Sequence, residues 1–93
     1  MNWKPYDPAW LVAWVRDNVP GEPWLADALA RCARAADGGR AYVYFVDPAG
    51  ANQLGAAWQL ERTLTLHHPG EGTLVLDVLT GNRIGGIEFL ARL

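Results

Sequence analysis

Residues 73–93 are the part of this chain whose structure the sequence constrains most, because the turn and the side-chain pattern predict one β-hairpin. Two β-rich runs flank Gly81-Asn82, a dipeptide suited to a two-residue turn. That turn places three pairs on one face of the hairpin: Leu74 opposite Phe89, Leu76 opposite Ile87, and Val78 opposite Gly85. The other face receives Asp77 opposite Gly86, and Val75 opposite Glu88. We expect one face to be core and the other to be mixed.

A third strand is predicted just before this hairpin. Apolar residues alternate with polar ones over residues 57–67, at Trp58, Leu60, Leu64 and Leu66. A turn through residues 69–71 with an odd number of loop residues places Leu66 opposite Leu74 and Leu64 opposite Leu76, on the same core face. Two turns that agree on one face predict a three-stranded meander. Arg62 interrupts the core face, either at the rim with its head in water or in a buried ion pair.

Helical spacing of apolar residues predicts two helices in the first third of the chain. Asp7-Pro8 suits a helix start, and a helix is expected at about 8–18. A second helix, expected at about 23–36, has an alanine-rich stripe that includes Cys32, and Gly38-Gly39 suits its C-cap.

The pattern changes to β after residue 40. A strand at about 41–46 is followed by a loop over residues 47–56, and the remaining strands are expected at about 57–67, 73–79 and 84–91. The predicted fold class is α+β in a single domain over 1–93. An N-terminal two-helix hairpin packs on one face of a four-stranded antiparallel β-meander.

Composition and charge limit the classes of partner. The net charge of −2 is unlike the basic footprint of a nucleic-acid binder, and no apolar run is long enough for a membrane span. We therefore expect neither a nucleic-acid nor a membrane partner. Cys32 is the only cysteine, which suits a reducing compartment, and we expect the protein to be cytoplasmic.

The residues that chemistry requires are scarce in this chain. It has no serine, and Cys32 joins an apolar stripe. His67 and His68 are adjacent on a strand and point to opposite faces, so we expect no metal site and two solvent-facing histidines. Asp77 and Glu88 share an open sheet face that offers little desolvation. We expect no enzyme and no cofactor, with acid–base use of this pair as the weaker alternative.

The polar sheet face is the best candidate for a binding surface. Its candidate partner-binding residues are Tyr42, Tyr44, Glu61, Thr63, Thr65, Asp77 and Glu88. The loop over residues 47–56 is a second candidate. A plain solvated face is the alternative, and a bulge at Gly85-Gly86 would shift Glu88. Five tryptophans serve either the core or an interface.

Residues 77–90, with an aspartate strand, a short turn and a Gly-Ile-Glu strand, resemble the terminal hairpin of small bacterial proteins of unknown function. In size, mild acidity and helix-plus-sheet build, the chain is also similar to immunity proteins that neutralise bacterial toxins. The first resemblance supports the β-meander and carries no activity. The second implies a non-catalytic protein-binding module that neutralises a toxin by direct binding. The alternative is a small structural domain that forms a homodimer.

Overall fold

A six-stranded antiparallel sheet and two short helices make up the protein, as described by a computed structural model that covers residues 1–93. The elements are β1 (Lys4–Pro5), α1 (Ala9–Asn18), α2 (Leu25–Ala30), β2 (Arg34–Asp37), β3 (Tyr42–Tyr44), β4 (Leu60–His68), β5 (Gly72–Leu79) and β6 (Arg83–Phe89), followed by a 3₁₀ turn at Leu90–Arg92. The strand order across the sheet is β1-β2-β3-β6-β5-β4. The predicted α+β class is confirmed.

The hydrophobic core lies between the two helices and one face of β4, β5 and β6. Leu66 pairs with Leu74, and Leu64 with Leu76, as the alternation predicted. Leu74 also pairs with Phe89, and Leu76 with Ile87. Four helix residues, Leu11, Val15, Leu25 and Leu29, are buried in the same cluster. The period-2 pattern therefore predicted the core face of this part of the sheet correctly.

The turn between β5 and β6 differs from the prediction by one residue. Val78 pairs with Ile84 instead of Gly85, and Leu79 pairs with Arg83, so the loop has three residues, 80–82. Gly85 is the extra residue of a β-bulge. The shift falls on the turn side of the bulge, because the leucine pairs fix the register on the other side. Glu88 consequently keeps its predicted place opposite Val75.

The predicted helix at 23–36 is wrong beyond Ala30. Residues 34–37 form β2, in which Ala35 and Ala36 are buried and Ala36 pairs with Tyr44. Alanine fits a helix by propensity, but pairing with β3 satisfies backbone groups that would otherwise lie on an open edge. Gly38 starts a hairpin, with its N–H bonded to the carbonyl of Tyr42 at 2.8 Å, instead of capping a helix.

The four-stranded meander is also corrected. β3 ends at Tyr44 and pairs with β6, so two strands, β6 and β5, lie between it and β4, its successor in the chain. Only β4, β5 and β6 form a meander, while β1 and β2 extend the sheet beyond β3. The two helices do pack together, although α2 has only six residues and the predicted hairpin is shorter than expected. Neither helix is long and apolar enough to cross a membrane.

Arg62 lies at the rim of the core, as one of the two interpretations expected. It pairs with Val78, and its guanidinium is 3.4 Å from a carboxylate oxygen of Glu22 and 5.4 Å from the ring centre of Trp24. The side chain remains about two-fifths exposed, so this ion pair is not buried.

Candidate functional site

The candidate residues lie together on the sheet face turned away from the helices, which we call the outer face. Two adjacent rows of paired residues cross β3, β6, β5 and β4 on this face. The rows are Tyr44–Gly86–Asp77–Thr63 and Tyr42–Glu88–Val75–Thr65. Six of the seven predicted residues therefore lie in two adjacent rows on one surface.

Glu61 is the seventh predicted residue, and it lies at an irregularity that the sequence did not predict. The register of β4 shifts between Leu60 and Arg62, which leaves Glu61 without a partner in β5. Leu60 then pairs with Leu79 on the outer face and is exposed, although the alternation placed it in the core. Glu61 is itself exposed at the edge of the sheet.

Tyr42 and Asp77 are joined by a hydrogen bond across β6. The Tyr42 hydroxyl donates to Oδ2 of Asp77, and Gly86 leaves the space through which the ring passes. Burial raises the pKa of the Tyr42 phenol, and the bond to Asp77 raises this pKa further. The tyrosine therefore stays protonated, and the carboxylate is held at a fixed position.

An aromatic cluster occupies one end of the outer face. The rings of Tyr42 and Tyr44 are 4.4 Å apart, and the ring of Trp58 is 5.9 Å from Tyr44. Trp58 is buried and lies over Gly85, where a side chain would collide with its ring. The alternation had assigned Trp58 to the helix-covered core. The shift at Glu61 explains why it lies on the opposite face.

The loop over residues 47–56 is held by hydrogen bonds to residues 58–60, at the start of β4. The Asn52 N–H donates to the carbonyl of Trp58, and the Leu60 N–H donates to Oδ1 of Asn52, both at 2.8 Å. The Gln59 side chain donates to the carbonyls of Gln53 and Ala56. Asn52 takes a positive φ of 66°, which asparagine tolerates.

The side chain of Leu54 is fully exposed near the tip of this fastened loop. The sequence pattern indicates Leu54 only as part of the loop. No periodic signal distinguishes it, because its exposure depends on the turns that Asn52 and Gly55 make.

The carboxylates of the outer face are not neutralised by the chain itself. The four ion pairs of the structure involve Asp37, Asp27, Glu22 and Glu71. Glu61, Asp77 and Glu88 belong to none of them. The outer face therefore presents Asp77 and Glu88, with Glu61 at its edge, as three carboxylates whose charge is available to a partner.

The groups considered for chemistry are separated in the structure. His67 contacts Thr73, with 3.2 Å between Nδ1 and Oγ1, whereas His68 packs against Trp10 and Trp14 on the helix side. The expectation of two solvent-facing histidines is thus wrong for His68. No three metal-ligating side chains lie together. Burial raises the pKa of the Cys32 thiol to about 12.

Comparison of the chain with protein-family models, curated proteins and solved structures found no match.

Proposed function

We propose that this protein is a non-catalytic binding module that contacts a protein partner through its outer face and the loop over residues 47–56. The observation that supports this most is Leu54, an exposed apolar side chain on a loop held by several hydrogen bonds. An apolar anchor on a rigid element loses little conformational entropy when it is buried by a partner.

The charge of the outer face indicates what kind of partner suits it. Three unpaired carboxylates favour a partner with a basic surface, because complementary charge speeds association and fixes orientation. The most specific form of the proposal is an immunity protein that neutralises a bacterial toxin with a basic substrate cleft. The single reduced cysteine suits a cytoplasmic site of action.

The test measures, by calorimetry, the affinity of this protein for a candidate toxin domain encoded by a neighbouring gene. We expect Leu54→Ser to weaken binding by about 2 kcal/mol or more if Leu54 is an anchor. Leu93→Ser is the matched control, because Leu93 is also exposed but lies at the end of the chain. Equal affinities of the two variants would exclude the loop from the interface.

The charges are tested separately. We expect the Glu61→Gln/Glu88→Gln double variant to lower the association rate and its salt dependence. Asp17→Asn is the control, because Asp17 is exposed and has no ion-pair partner but lies on α1, on the other side of the sheet. Asp77 is left unchanged in this test, so that its bond to Tyr42 stays intact.

A homodimer is the second candidate, and the β4 edge favours it. β4 has nine residues, most of them exposed, and its outer edge has no neighbouring strand. Antiparallel pairing of two copies centred on Leu64 would place Glu61 opposite His67 of the other copy. Sedimentation equilibrium should then give twice the chain mass of 10.2 kDa, and a constant 10.2 kDa at all concentrations would reject the dimer.

A further inference from the structure

A pocket of about 630 Å³ lies at the end of the sheet where α2 and β3 end and β6 begins. This volume is within the range of small-molecule sites, roughly 300 to 1,000 Å³. Its lining residues include the aromatic Trp3 and Phe45 and the basic Arg31, Arg34 and Arg83. The pocket is separate from the polar rows of the outer face.

Three of the basic residues that form no ion pair line this pocket. Of the eight basic residues, four form ion pairs with carboxylates: Lys4, Arg16, Arg62 and Arg92. Arg40 is the only one of the other four that lies outside the pocket lining. The whole chain has a net charge of −2, so the positive charge at this pocket is opposite in sign to that of the protein as a whole.

Only one carboxylate in the lining opposes the three guanidinium groups. Asp47 belongs to the lining, and its Oδ1 accepts the backbone N–H of Ala49 at 2.9 Å. It forms no ion pair with any of the arginines. The lining therefore has two more positive than negative charges.

The arginines keep hydrogen-bond donors free for a ligand. Arg83 is fixed, since its Nε and Nη2 donate to the carbonyls of Thr80 and Ala57 at 3.1 and 2.9 Å. Arg31 makes one long bond of 3.4 Å to the carbonyl of Asn82, and Arg34 lies 5.9 Å from the ring centre of Trp3. Carbonyl partners leave the guanidinium charge in place, and a guanidinium has five N–H donors.

We propose that the pocket binds a small aromatic compound carrying a phosphate group. The excess of two positive charges matches a dianion, and guanidinium groups bind phosphate oxygens with bidentate geometry. Arg31 and Arg34 bind the phosphate, and Arg83 contributes a fixed charge. Trp3 and Phe45 provide apolar surface for a flat ring. This site does not depend on the proposed protein partner.

The test titrates phenyl phosphate, inorganic phosphate and phenol into the protein at constant low ionic strength and follows backbone amide NMR signals. We expect phenyl phosphate to bind more tightly than inorganic phosphate, and phenol to bind most weakly. Signals of residues at the pocket, such as Cys32, Val46 and Ile84, should shift. If phenyl phosphate at up to about 10 mM shifts none of these signals, the proposal is overturned.

Variants separate a built site from general attraction to a cation. We expect Arg31→Gln/Arg34→Gln to weaken phenyl phosphate binding by about tenfold or more, since charge-assisted contacts are lost. Arg40→Gln removes the same charge outside the pocket and should leave the affinity unchanged. If both variants are folded, as judged by their amide spectra, and lose the same affinity for phenyl phosphate, the pocket is not the site. Trp3→Ala should weaken phenyl phosphate but not inorganic phosphate, and the reverse would contradict the role of the ring.

Discussion

Gly86 is the position at which the structure makes its sharpest prediction about stability. A Cβ atom added there would lie 2.6 Å from the backbone oxygen of Val43 and 2.6 Å from Cε1 of Tyr42. The first neighbour is backbone in a paired strand and has little freedom to move. Gly86→Ala therefore has to displace either the strand or the tyrosine ring.

The expected cost follows from these two displacements. Overpacking in a well-packed region costs about 1 to 3 kcal/mol. If the ring moves, the bond from Tyr42 to the Asp77 carboxylate is lost as well, at about 1.5 to 3 kcal/mol for a charged partner. We expect these two costs together to lower the free energy of unfolding by about 2.5 to 6 kcal/mol, out of roughly 5 to 14 kcal/mol for a chain of this length.

Urea unfolding followed by tryptophan fluorescence and circular dichroism measures this loss. Gly21→Ala is the matched control, because Gly21 is exposed, has no positive φ and would place its Cβ in open space. Its stability should change by less than about 1 kcal/mol. Equal costs at Gly86 and Gly21 would refute the close passage of Tyr42 over β6. A smaller cost of Gly86→Ala in a Tyr42→Ala background would assign the difference to the ring.

Three further predictions concern the core and the cysteine. Leu76→Ala should destabilise the protein by about 2 to 5 kcal/mol and Thr65→Ala by well under 1 kcal/mol, because Leu76 is fully buried and Thr65 is exposed; equal losses in a urea titration would contradict the sheet register. A thiol reagent should label Cys32 slowly in the native protein and quickly in denaturant, because the thiol is buried and its pKa is raised to about 12; fast native labelling would place the thiol at the surface. Since this folded pKa lies above the ordinary value of 9.0, the stability due to the neutral thiol is complete below about pH 9 and is lost as the pH rises towards 12. Cys32→Ala should therefore reduce the loss of stability at alkaline pH. An unchanged loss would show that ionisation of Cys32 is not its cause.

The part of the fold that could be predicted from sequence is the part in which two local signals agree. In β4, β5 and β6, alternating leucines and two short turns specify one register, and the structure has that register across the leucine pairs. The amino-terminal half lacks such agreement. Ala35 and Ala36 fit a helical stripe and a strand equally well, and the choice depends on pairing with Tyr44 in the next strand and with Lys4, which is distant in sequence.

The candidate site was predictable to the same degree. The outer-face positions of Thr63, Thr65, Asp77 and Glu88 follow from strand alternation and were predicted as a group. The packing of Trp58 on the outer face was not, because it depends on a shift in β4 and on the missing side chain of Gly85. The arginine pocket was missed for a related reason. Arg31 and Arg34 belong to one segment, but Arg83 comes from a distant one, and no local pattern brings the two segments together.

Asp47 connects the two proposed binding sites and leads to a test of their coupling. It lines the pocket, and its carboxylate holds the N–H of Ala49 at the start of the loop that presents Leu54. A dianion bound beside Asp47 repels its carboxylate and changes the environment of the bond that fastens the loop. We therefore expect phenyl phosphate to alter the affinity for the protein partner. Linkage requires the partner to alter phenyl phosphate affinity by the same factor. Asp47→Asn removes the repulsion and keeps a side-chain oxygen that can accept the Ala49 N–H. In this variant, the factor by which each ligand changes the affinity for the other should therefore be closer to one. A factor that is unchanged in this variant would show that the coupling takes another route, and a factor of one in the original protein would show that the sites are independent.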